Sequence, residues 1–575
     1  MEKINTAKAF ELSKVRQRRI AVAIILSLII LFYIASNLLW GMRSPVYFYR
    51  DSIMNINWAV YYAKAMRGEG MAYRPDLIRI LKDNDIIRDY NIYYSEAYSD
   101  VFMGPIGGNE RIEVGDLFKL HHPPAWFLFL GSLFALFGFK VYVIYLAQSI
   151  LGAVALWAMY VVGKRMHSSS LGLFSAFLLS TLHFFLFVTR QGFIETMLYP
   201  VVIMSFMLCR SILTSPSKLG NYFFLGAIFG FGMLIKASYA IFIIIFFIVL
   251  AFFLILKRSP KVAILRNVII SAIVMAIMAL PYYSYVIDKL WPYAVSMFVK
   301  GETNYYFSPA DIFGLFFILK TLLGQVLTVV FIFTLVYSLA RPRLPLSFLA
   351  AFVAFGCIFT ISLPLSLNVR HYTLFLPFII LLICRSIMDM GSFKKIAVAS
   401  LVVFGLVRGY GWLMPHVFKG DSMEYLYDEI GTKDTKQGFH VYPRGVEYSN
   451  PFFSFAPLPP LDYRTVYDIV RGIEGRAGLK VVNIISSGAP YKMETKGLAG
   501  ALSLYSLIEN VPLIIEGGGA AFRHPFKDRV WIIARGRKDA IDKSRLYKER
   551  NVDTRYVDSV FLSPTIICDI FIEGG

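Results

Sequence analysis

Long apolar runs alternate with short polar turns along most of this 575-residue chain. The runs are about twenty residues long, which is the length that an α-helix needs to cross a ~30 Å hydrocarbon layer. The pattern predicts a polytopic α-helical membrane protein with about eleven spans, the first at residues 20–40. The further predicted spans lie near residues 141–162, 169–189, 193–212, 220–235, 238–256, 267–287, 312–339, 345–366, 371–388 and 394–414.

One apolar stretch, Pro124–Phe139, is excluded from the predicted spans. It is short for a crossing and is followed by Lys140. If it crossed the membrane, the basic turn Lys164-Arg165 would lie outside, against the tendency of Lys and Arg to remain in the cytoplasm. We therefore expect this stretch to form a helix on the outer face.

The same reasoning divides the chain into regions. Residues 1–19 are predicted to be a cytoplasmic N-terminus, and residues 20–414 a transmembrane domain whose long first external loop covers residues 43–140. Long apolar runs stop after Pro415, and short β-rich segments predict that residues 415–575 form an external α/β domain. The predicted strands lie at residues 480–485, 511–515, 530–534 and 565–571.

Composition agrees with a membrane protein: 57% of residues are hydrophobic and the net charge is +20. We attribute the charge to cytoplasmic loops and to attraction toward membrane lipids or phosphorylated substrates, and we expect no nucleic-acid partner. The sequence contains no P-loop, H-E-x-x-H or G-x-S-x-G motif, and its four cysteines lack metal-ligand spacing. We expect neither a cofactor nor a bound metal.

The polar loop after the first span is unusual, because most connections are short and this one has roughly eighty residues. It carries Asp51 near its start and His121-His122 near its end. Asp51 could carry chemistry at the membrane interface, or could be an N-cap for the helix that follows. The histidines could take part in the same chemistry or could cap the next helix; a metal pair is less favoured, because adjacent side chains diverge.

Several short motifs follow one another along the chain in a characteristic order. They are Asp51, Tyr62–Glu69, His122–Pro124 leading into a helix that ends in Leu136-Phe137-Gly138, Thr189–Glu195, Gly226–Lys236 and Val369–Pro377. In this order the chain resembles the GT-C membrane glycosyltransferases, which include the protein O-mannosyltransferases and the bacterial aminoarabinose transferase that acts on lipid A. The resemblance covers residues 20–390. The family usually has a second acidic residue after the first, where this chain has Ser52.

The resemblance implies transfer of a sugar from a polyprenyl-phosphate donor to a lipid, glycan or protein acceptor, with inversion at the anomeric carbon. The protein would lie in the inner (plasma) membrane with its active site facing the periplasm or exterior. Asp51 would be the catalytic base, and His122 takes the family's H-P-P position. A transporter or flippase for a lipid-linked saccharide is the alternative, although the sequence shows no paired halves of the kind that transporters have.

A leaving phosphate also needs cations, and basic residues at the outer helix ends are the candidates. Their alternative is an ordinary interfacial position, in which a long side chain extends to the headgroups. Glu195 could contact the acceptor or pair with Arg190, and we favour the pair. The substrate-binding candidates are Arg50, His121, His122, Arg190, Glu195, Lys236, Arg370 and His371.

Overall fold

The structure is a computed structural model, and it describes the helical region except for residues 44–49, 69–122, 191, 258–260, 300–314, 317, 321, 341–343 and 363–368. In the C-terminal part it describes residues 431–434, 438–441, 462–473, 480–486, 513–517, 529–536, 554–561, 566–573 and part of 498–509. The side chains of some residues at helix and strand ends, Arg50, Asp51, Arg370 and His371 among them, lie outside this description.

The helical part contains fourteen α-helices within the described residues. They are α1 Glu2–Arg43, α2 Arg50–Met66, α3 Ala125–Phe137, α4 Val141–Met166, α5 Ser169–Ser180, α6 His183–Arg190, α7 Glu195–Thr214, α8 Leu219–Ile235, α9 Tyr239–Leu256, α10 Lys261–Val299, α11 Gln325–Ala340, α12 Leu344–Ser362, α13 Leu376–Met388 and α14 Lys394–Tyr410. Two 3-10 segments, Val369–Phe375 and Gly391–Phe393, precede α13 and α14.

The helices confirm a polytopic membrane protein. Among the described residues, five helices are long and apolar enough to cross a membrane, and up to seven segments qualify if each of two bent helix pairs counts as one span. Helices α8, α11 and α12 are shorter but apolar. Each predicted span overlaps at least one of these helices, although α11 covers only the second part of the span predicted at residues 312–339. The count of about eleven spans stays a prediction.

Helix α3 differs from the spans in length. Its thirteen residues extend about 20 Å at 1.5 Å per residue, too short for a ~30 Å layer. Gly138 ends it with a positive φ of 83°, and its N–H donates to the carbonyl of Phe134 at 2.9 Å. The predicted helix is therefore confirmed, including its Leu136-Phe137-Gly138 end, and its place on the outer face stays a prediction.

The chain divides into two compact units. The first contains residues 1–39, 148–190 and 195–456, and the second contains residues 40–147, 191–194 and 457–575. These units follow spatial contacts rather than the sequence-based division at residue 415, which stays a prediction.

Aromatic packing holds the first unit together. The ring of Phe352 on α12 lies 4.4 Å from Phe246 on α9 and 4.9 Å from Phe378 on α13, centroid to centroid. Phe206 on α7 lies 5.1 Å from Phe378. Because such ring pairs prefer particular angles, they fix the rotation of each helix as well as its contact with its neighbours.

Helices α8 and α10 pack closely through a Gly226-x-x-x-Gly230 pattern. A Cβ atom on Gly230 would lie 2.7 Å from Cβ of Met278 and 3.0 Å from the carbonyl oxygen of Met275, and one on Gly226 would meet the carbonyl of Ser271. Small residues at this spacing let membrane helices approach each other. The pattern thus explains part of the Gly226–Lys236 motif as helix packing.

In the second unit, α2 packs along α3. Gly131 fits beneath Tyr62, and the Tyr62 ring stacks on Phe127 at 6.0 Å. Beyond the end of α2, the Arg67 guanidinium donates to the carbonyls of Phe134 at 2.7 Å and Ala135 at 3.1 Å. The two helices therefore run parallel, and the first turn of α2, which carries Asp51, is at the same end of the pair as Pro124, the N-cap of α3.

Seven strands lie in the C-terminal part of the chain. They are β1 Gly431–Asp434, β2 Gly438–Val441, β3 Lys480–Ser486, β4 Leu513–Gly517, β5 Arg529–Gly536, β6 Thr554–Phe561 and β7 Ile566–Glu573 within the described residues. The hairpin of β1 and β2 belongs to the first unit, whereas the other five strands form a mixed sheet of the second unit in the order β4-β3-β5-β7-β6. Strands β3, β4 and β5 are parallel, and β7 runs antiparallel to β5 and β6. Val482, Val530 and Ile570 face helix α15, Tyr463–Gly472, in one buried core.

The predicted small sheet domain is confirmed, and β3, β4, β5 and β7 are the four predicted strands. The sequence analysis missed β6 and the β1–β2 hairpin. Strand β6 alternates exposed and less exposed residues at the sheet edge, with exposed Arg555, Tyr556 and Asp558, so it lacks the continuous apolar run that marks a strand buried on both faces.

Candidate functional site

Arg190 is the last residue of α6 and is fully buried. Its Nε donates to Oδ1 of Asn37 at 2.9 Å, and its Nη2 donates to Oγ of Ser36 at 3.2 Å. Both partners belong to α1, so polar side chains of the first span accept hydrogen bonds from two nitrogens of a charged group in an apolar environment. Arg190 therefore joins α6 to the end of α1 that precedes the long loop.

Glu195 and Lys236 form an ion pair. Glu195 begins α7, and Lys236 follows the last residue of α8. The Lys236 Nζ lies 2.6 Å from Oε1 of Glu195, and their side chains are 23% and 5% exposed, respectively. The sequence favoured a pair of Glu195 with Arg190, and the ion pair that the structure shows is with Lys236.

The position of Glu195 favours its charged form. It lies in the first turn of α7, where the helix dipole stabilises a negative charge. It is also the only acidic residue between Leu117 and Ile287. Lys236 is partly exposed, so its ammonium group can contact Glu195 and still present donors to a ligand, because an ammonium group has three N–H donors.

The 3-10 segment Val369–Phe375 lies beside α7, the helix that begins with Glu195. It contacts α7, and its Phe375 ring lies 4.8 Å from Phe242 on α9. Tyr372 and Thr373, which precede Phe375, are also buried, so the segment is anchored by several side chains. The backbone that carries Arg370 and His371 is therefore held against α7, and the side chains of these two residues lie outside the described part.

The end of α6 and the start of α7 are connected as well. Oγ1 of Thr196 donates to the carbonyl of Val188 at 3.3 Å. The chain end that carries Arg190 and the one that carries Glu195 are thus close neighbours. Within the first unit the structure places Arg190, Glu195, Lys236 and the Arg370 segment on adjoining elements, and their role in one substrate site stays a prediction.

The other predicted residues belong to the second unit. Helix α2 begins at Arg50, so Asp51 lies in its first turn rather than at its N-cap. A carboxylate in this position is favoured by the helix dipole. His121 and His122 lie outside the described residues, and Pro124 occupies the N-cap position of α3.

Within the described residues, no group of three or more His, Cys, Asp or Glu side chains could hold a metal ion. Sequence reasoning missed Ser36 and Asn37, the partners of Arg190. Their signal was present: both are polar residues in the otherwise apolar first span, where an unpartnered polar group is costly. Arg67 was missed as well, because nothing in the sequence indicates which carbonyls its guanidinium reaches.

Residues 121–285 match the family model described as dolichyl-phosphate-mannose-protein mannosyltransferase. This stretch includes the site residues Arg190, Glu195 and Lys236. The resemblance to the GT-C membrane glycosyltransferases, first indicated by the order of the sequence motifs, is thereby confirmed.

Two crystal structures of ArnT from Cupriavidus metallidurans are similar to this chain. The structure bound to undecaprenyl phosphate is 12% identical with a TM-score of 0.46, and the match covers 78% of this chain and 88% of that one. The apo structure is 11% identical with a TM-score of 0.49, and the match covers 78% and 87%, respectively. No curated protein sequence matches the chain at a significant level.

Proposed function

We propose that this protein is a membrane glycosyltransferase that moves a sugar from a polyprenyl-phosphate carrier to an acceptor on the outer face of the membrane. The observation that carries the proposal is the match of residues 121–285 to a family whose described donor is a sugar on a polyprenyl phosphate. The described geometry supports it, because this stretch places a lysine, a glutamate and a buried arginine at neighbouring helix ends.

The proposed reaction is a single displacement. An acceptor hydroxyl attacks the anomeric carbon from the face opposite the phosphate, the bond between that carbon and the phosphate oxygen breaks, and the configuration inverts. The hydroxyl proton passes to Asp51, and the polyprenyl phosphate leaves with the bonding electrons. A general base of this kind contributes about 10²- to 10⁴-fold to the rate.

Cations complete the proposed chemistry by stabilising the leaving phosphate. Lys236 is the best-supported of them, because it is partly exposed and is oriented by Glu195. We assign the same role to Arg50 and Arg370 and give Arg190 a positioning role through α1. His121, His122 and His371 would orient the acceptor or the phosphate.

The pairing of Lys236 with Glu195 has a consequence for binding. A cation that is already neutralised within the protein does not remain as an uncompensated charge when the donor leaves. An arriving phosphate then shares the ammonium group with Glu195 rather than replacing water around a bare charge. We therefore assign Glu195 to holding Lys236, in preference to direct contact with the acceptor.

The test uses purified full-length protein in liposomes that contain a radiolabelled polyprenyl-phosphate sugar and a membrane extract as the source of acceptor. The wild-type protein should transfer label, and Asp51→Asn should reduce transfer by about 10²-fold or more. The adjacent Ser52→Ala variant is the matched control and should remain active.

Two results would contradict the proposal. Full transfer by Asp51→Asn would remove Asp51 from the mechanism. Label that only changes leaflets, with no transfer by the wild-type protein, would favour a flippase for the lipid-linked saccharide.

A further inference from the structure

A second group of basic residues lies at the opposite ends of the helices in the first unit. Arg165 is in the last turn of α4, and Arg210 is near the end of α7. Lys257 follows α9, and Arg266 is in the second turn of α10. We call Arg165, Arg210, Lys257 and Arg266 the basic cluster; the charge pattern along the chain predicts that this end faces the cytoplasm.

Hydrogen bonds show that these helix ends converge. Nη1 of Arg165 lies 3.2 Å from Sδ of Met207, three residues before Arg210 and on the same face of α7. The Lys257 Nζ donates to the carbonyl of Leu213 at 2.6 Å, one turn further along α7. The cluster therefore follows one helix, α7, along its last two turns.

The α10 side of the cluster is fixed in the same way. Nδ2 of Asn267 donates to the carbonyl of Ser217, just beyond α7, at 3.3 Å. Arg266 in turn donates to Oδ1 of Asn267 at 3.3 Å. The guanidinium of Arg266 is thereby directed to the turn that follows Arg210 and Leu213.

The arginine pair lacks a counter-charge. Arg165 is close enough to Arg210 for the two like charges to repel. Within the described part of the chain, neither arginine forms an ion pair, and the buried Nε of half-buried Arg210 has no hydrogen-bond partner. A partly buried guanidinium with an unmet donor is costly unless an anion approaches it.

The nearby acidic residues cannot supply that anion. Glu195 is at the other end of α7, about 20 Å away at 1.5 Å per residue, and is paired with Lys236. Asp389, at the end of α13, is paired with Arg385 at 2.6 Å. Among the described side chains, none therefore supplies an anion to the arginine pair.

Apolar residues beside the cluster indicate the kind of anion. Ile255 and Leu256, next to Lys257, are 76% and 63% exposed, and Val262 and Leu265, around Arg266, are 84% and 63% exposed. A soluble anion would leave this apolar surface uncovered, whereas a lipid presents a phosphate and acyl chains together. Guanidinium groups also match phosphate oxygens in geometry.

We propose that the basic cluster binds the phosphate of an anionic phospholipid, with Arg165 and Arg210 as its principal ligands. The lipid supplies the charge that the arginine pair lacks, and its acyl chains cover the exposed residues at the ends of α9 and α10. This site is at the helix ends opposite Glu195 and Lys236, and it does not depend on the proposed transferase reaction.

The experiment measures retention of phosphatidylglycerol by the full-length protein, by native mass spectrometry from micelles that also contain phosphatidylcholine. The wild-type protein should retain phosphatidylglycerol selectively. Arg165→Gln, a change at an exposed side chain, should weaken binding about fivefold, and Arg165→Gln with Arg210→Gln about 30-fold, as expected for the loss of one and two juxtamembrane cations. Arg165→Lys with Arg210→Lys keeps the charge and should retain most of the binding.

The matched control is Lys394→Gln with Lys395→Gln, which removes the same charge from exposed positions at the start of α14. An equal loss of phosphatidylglycerol in this control would show diffuse attraction and overturn the site. Equal occupancy by inorganic phosphate would overturn the assignment to a lipid. Unchanged binding of phosphatidylglycerol by the Arg165→Gln variant would overturn the site as well. As a control for folding, this variant should unfold at the wild-type temperature in micelles with phosphatidylcholine alone.

Discussion

The ion pair of Glu195 and Lys236 can be tested by a double-mutant cycle that separates stability from activity. Lys236→Met keeps the length of the side chain and removes its charge, and Glu195→Gln does the same for its partner. Glu195 is 5% exposed and its carboxylate lies 2.6 Å from the ammonium. Lys236→Met therefore leaves a buried carboxylate without the cation to which it is bonded.

Breaking a buried pair typically costs 3–5 kcal/mol of the free energy of unfolding, but Lys236 is 23% exposed, and water can partly replace it. Hydrogen bonds within membrane proteins are also often weak, about 0.6 kcal/mol on average. We expect about 2 kcal/mol for Lys236→Met, less for Glu195→Gln, and recovery of most of the loss in the double variant, because no unpaired charge then remains.

The transfer activity of the single and double variants should not follow the order of their stabilities. If Lys236 contacts the donor phosphate, the double variant regains stability but remains defective in transfer, with a raised KM for the donor or a lowered kcat. Thermal unfolding in detergent and initial transfer rates on the same samples provide the two measurements. Additive losses of stability would show that the two residues do not interact, and wild-type kinetics in the double variant would refute the phosphate role of Lys236.

Three further changes test the packing and the electrostatics. Gly230→Leu should separate α8 from α10, because even a Cβ would lie 3.0 Å from the Met275 carbonyl; a loss of at least 1–3 kcal/mol is expected in thermal unfolding, and an unchanged midpoint would contradict the close approach. Arg67→Ala should weaken the packing of α3 on α2 by about 1 kcal/mol, seen as faster proteolysis within these two helices, whereas Arg67→Lys should lose less. Partial burial and the nearby Arg385 lower the pKa of His167 below its usual value, so protonation opposes folding; stability should fall as pH drops below about 6.5, and His167→Gln should flatten that fall.

The sequence predicted the helices well because each span is a long apolar run, and it predicted the buried strands because they read as short apolar runs. Strand β6 was missed because its outward residues are polar or charged, which is typical of a sheet edge. The pattern of apolar and polar residues thus predicts a helix or strand that is surrounded by lipid or by the protein core. It misses a strand at the edge of a sheet, where one face meets water.

Partner choice was harder to predict than residue choice. The sequence identified Arg190, Glu195 and Lys236 as charged groups at helix ends, and the nearest opposite charge along the chain favoured a pair of Arg190 with Glu195. The structure shows Lys236, forty-one residues away, bonded to Glu195, because the end of α8 meets the start of α7. That contact depends on helix packing, including the glycines of α8, and no local pattern contains it.

A single feature of the sequence connects the two basic sites. Between Leu117 and Ile287 there is one carboxylate, Glu195, so at most one of the cations in these spans can be neutralised from within that segment. The structure places it 2.6 Å from Lys236, and neutral oxygens of α1 accept hydrogen bonds from Arg190. Arg165 and Arg210 have no carboxylate partner among the described residues, and at a membrane surface the abundant anion is a lipid phosphate. The scarcity of acidic residues therefore favours phosphate chemistry at both ends of the helices: a donor phosphate beside Lys236 and a structural lipid beside Arg210.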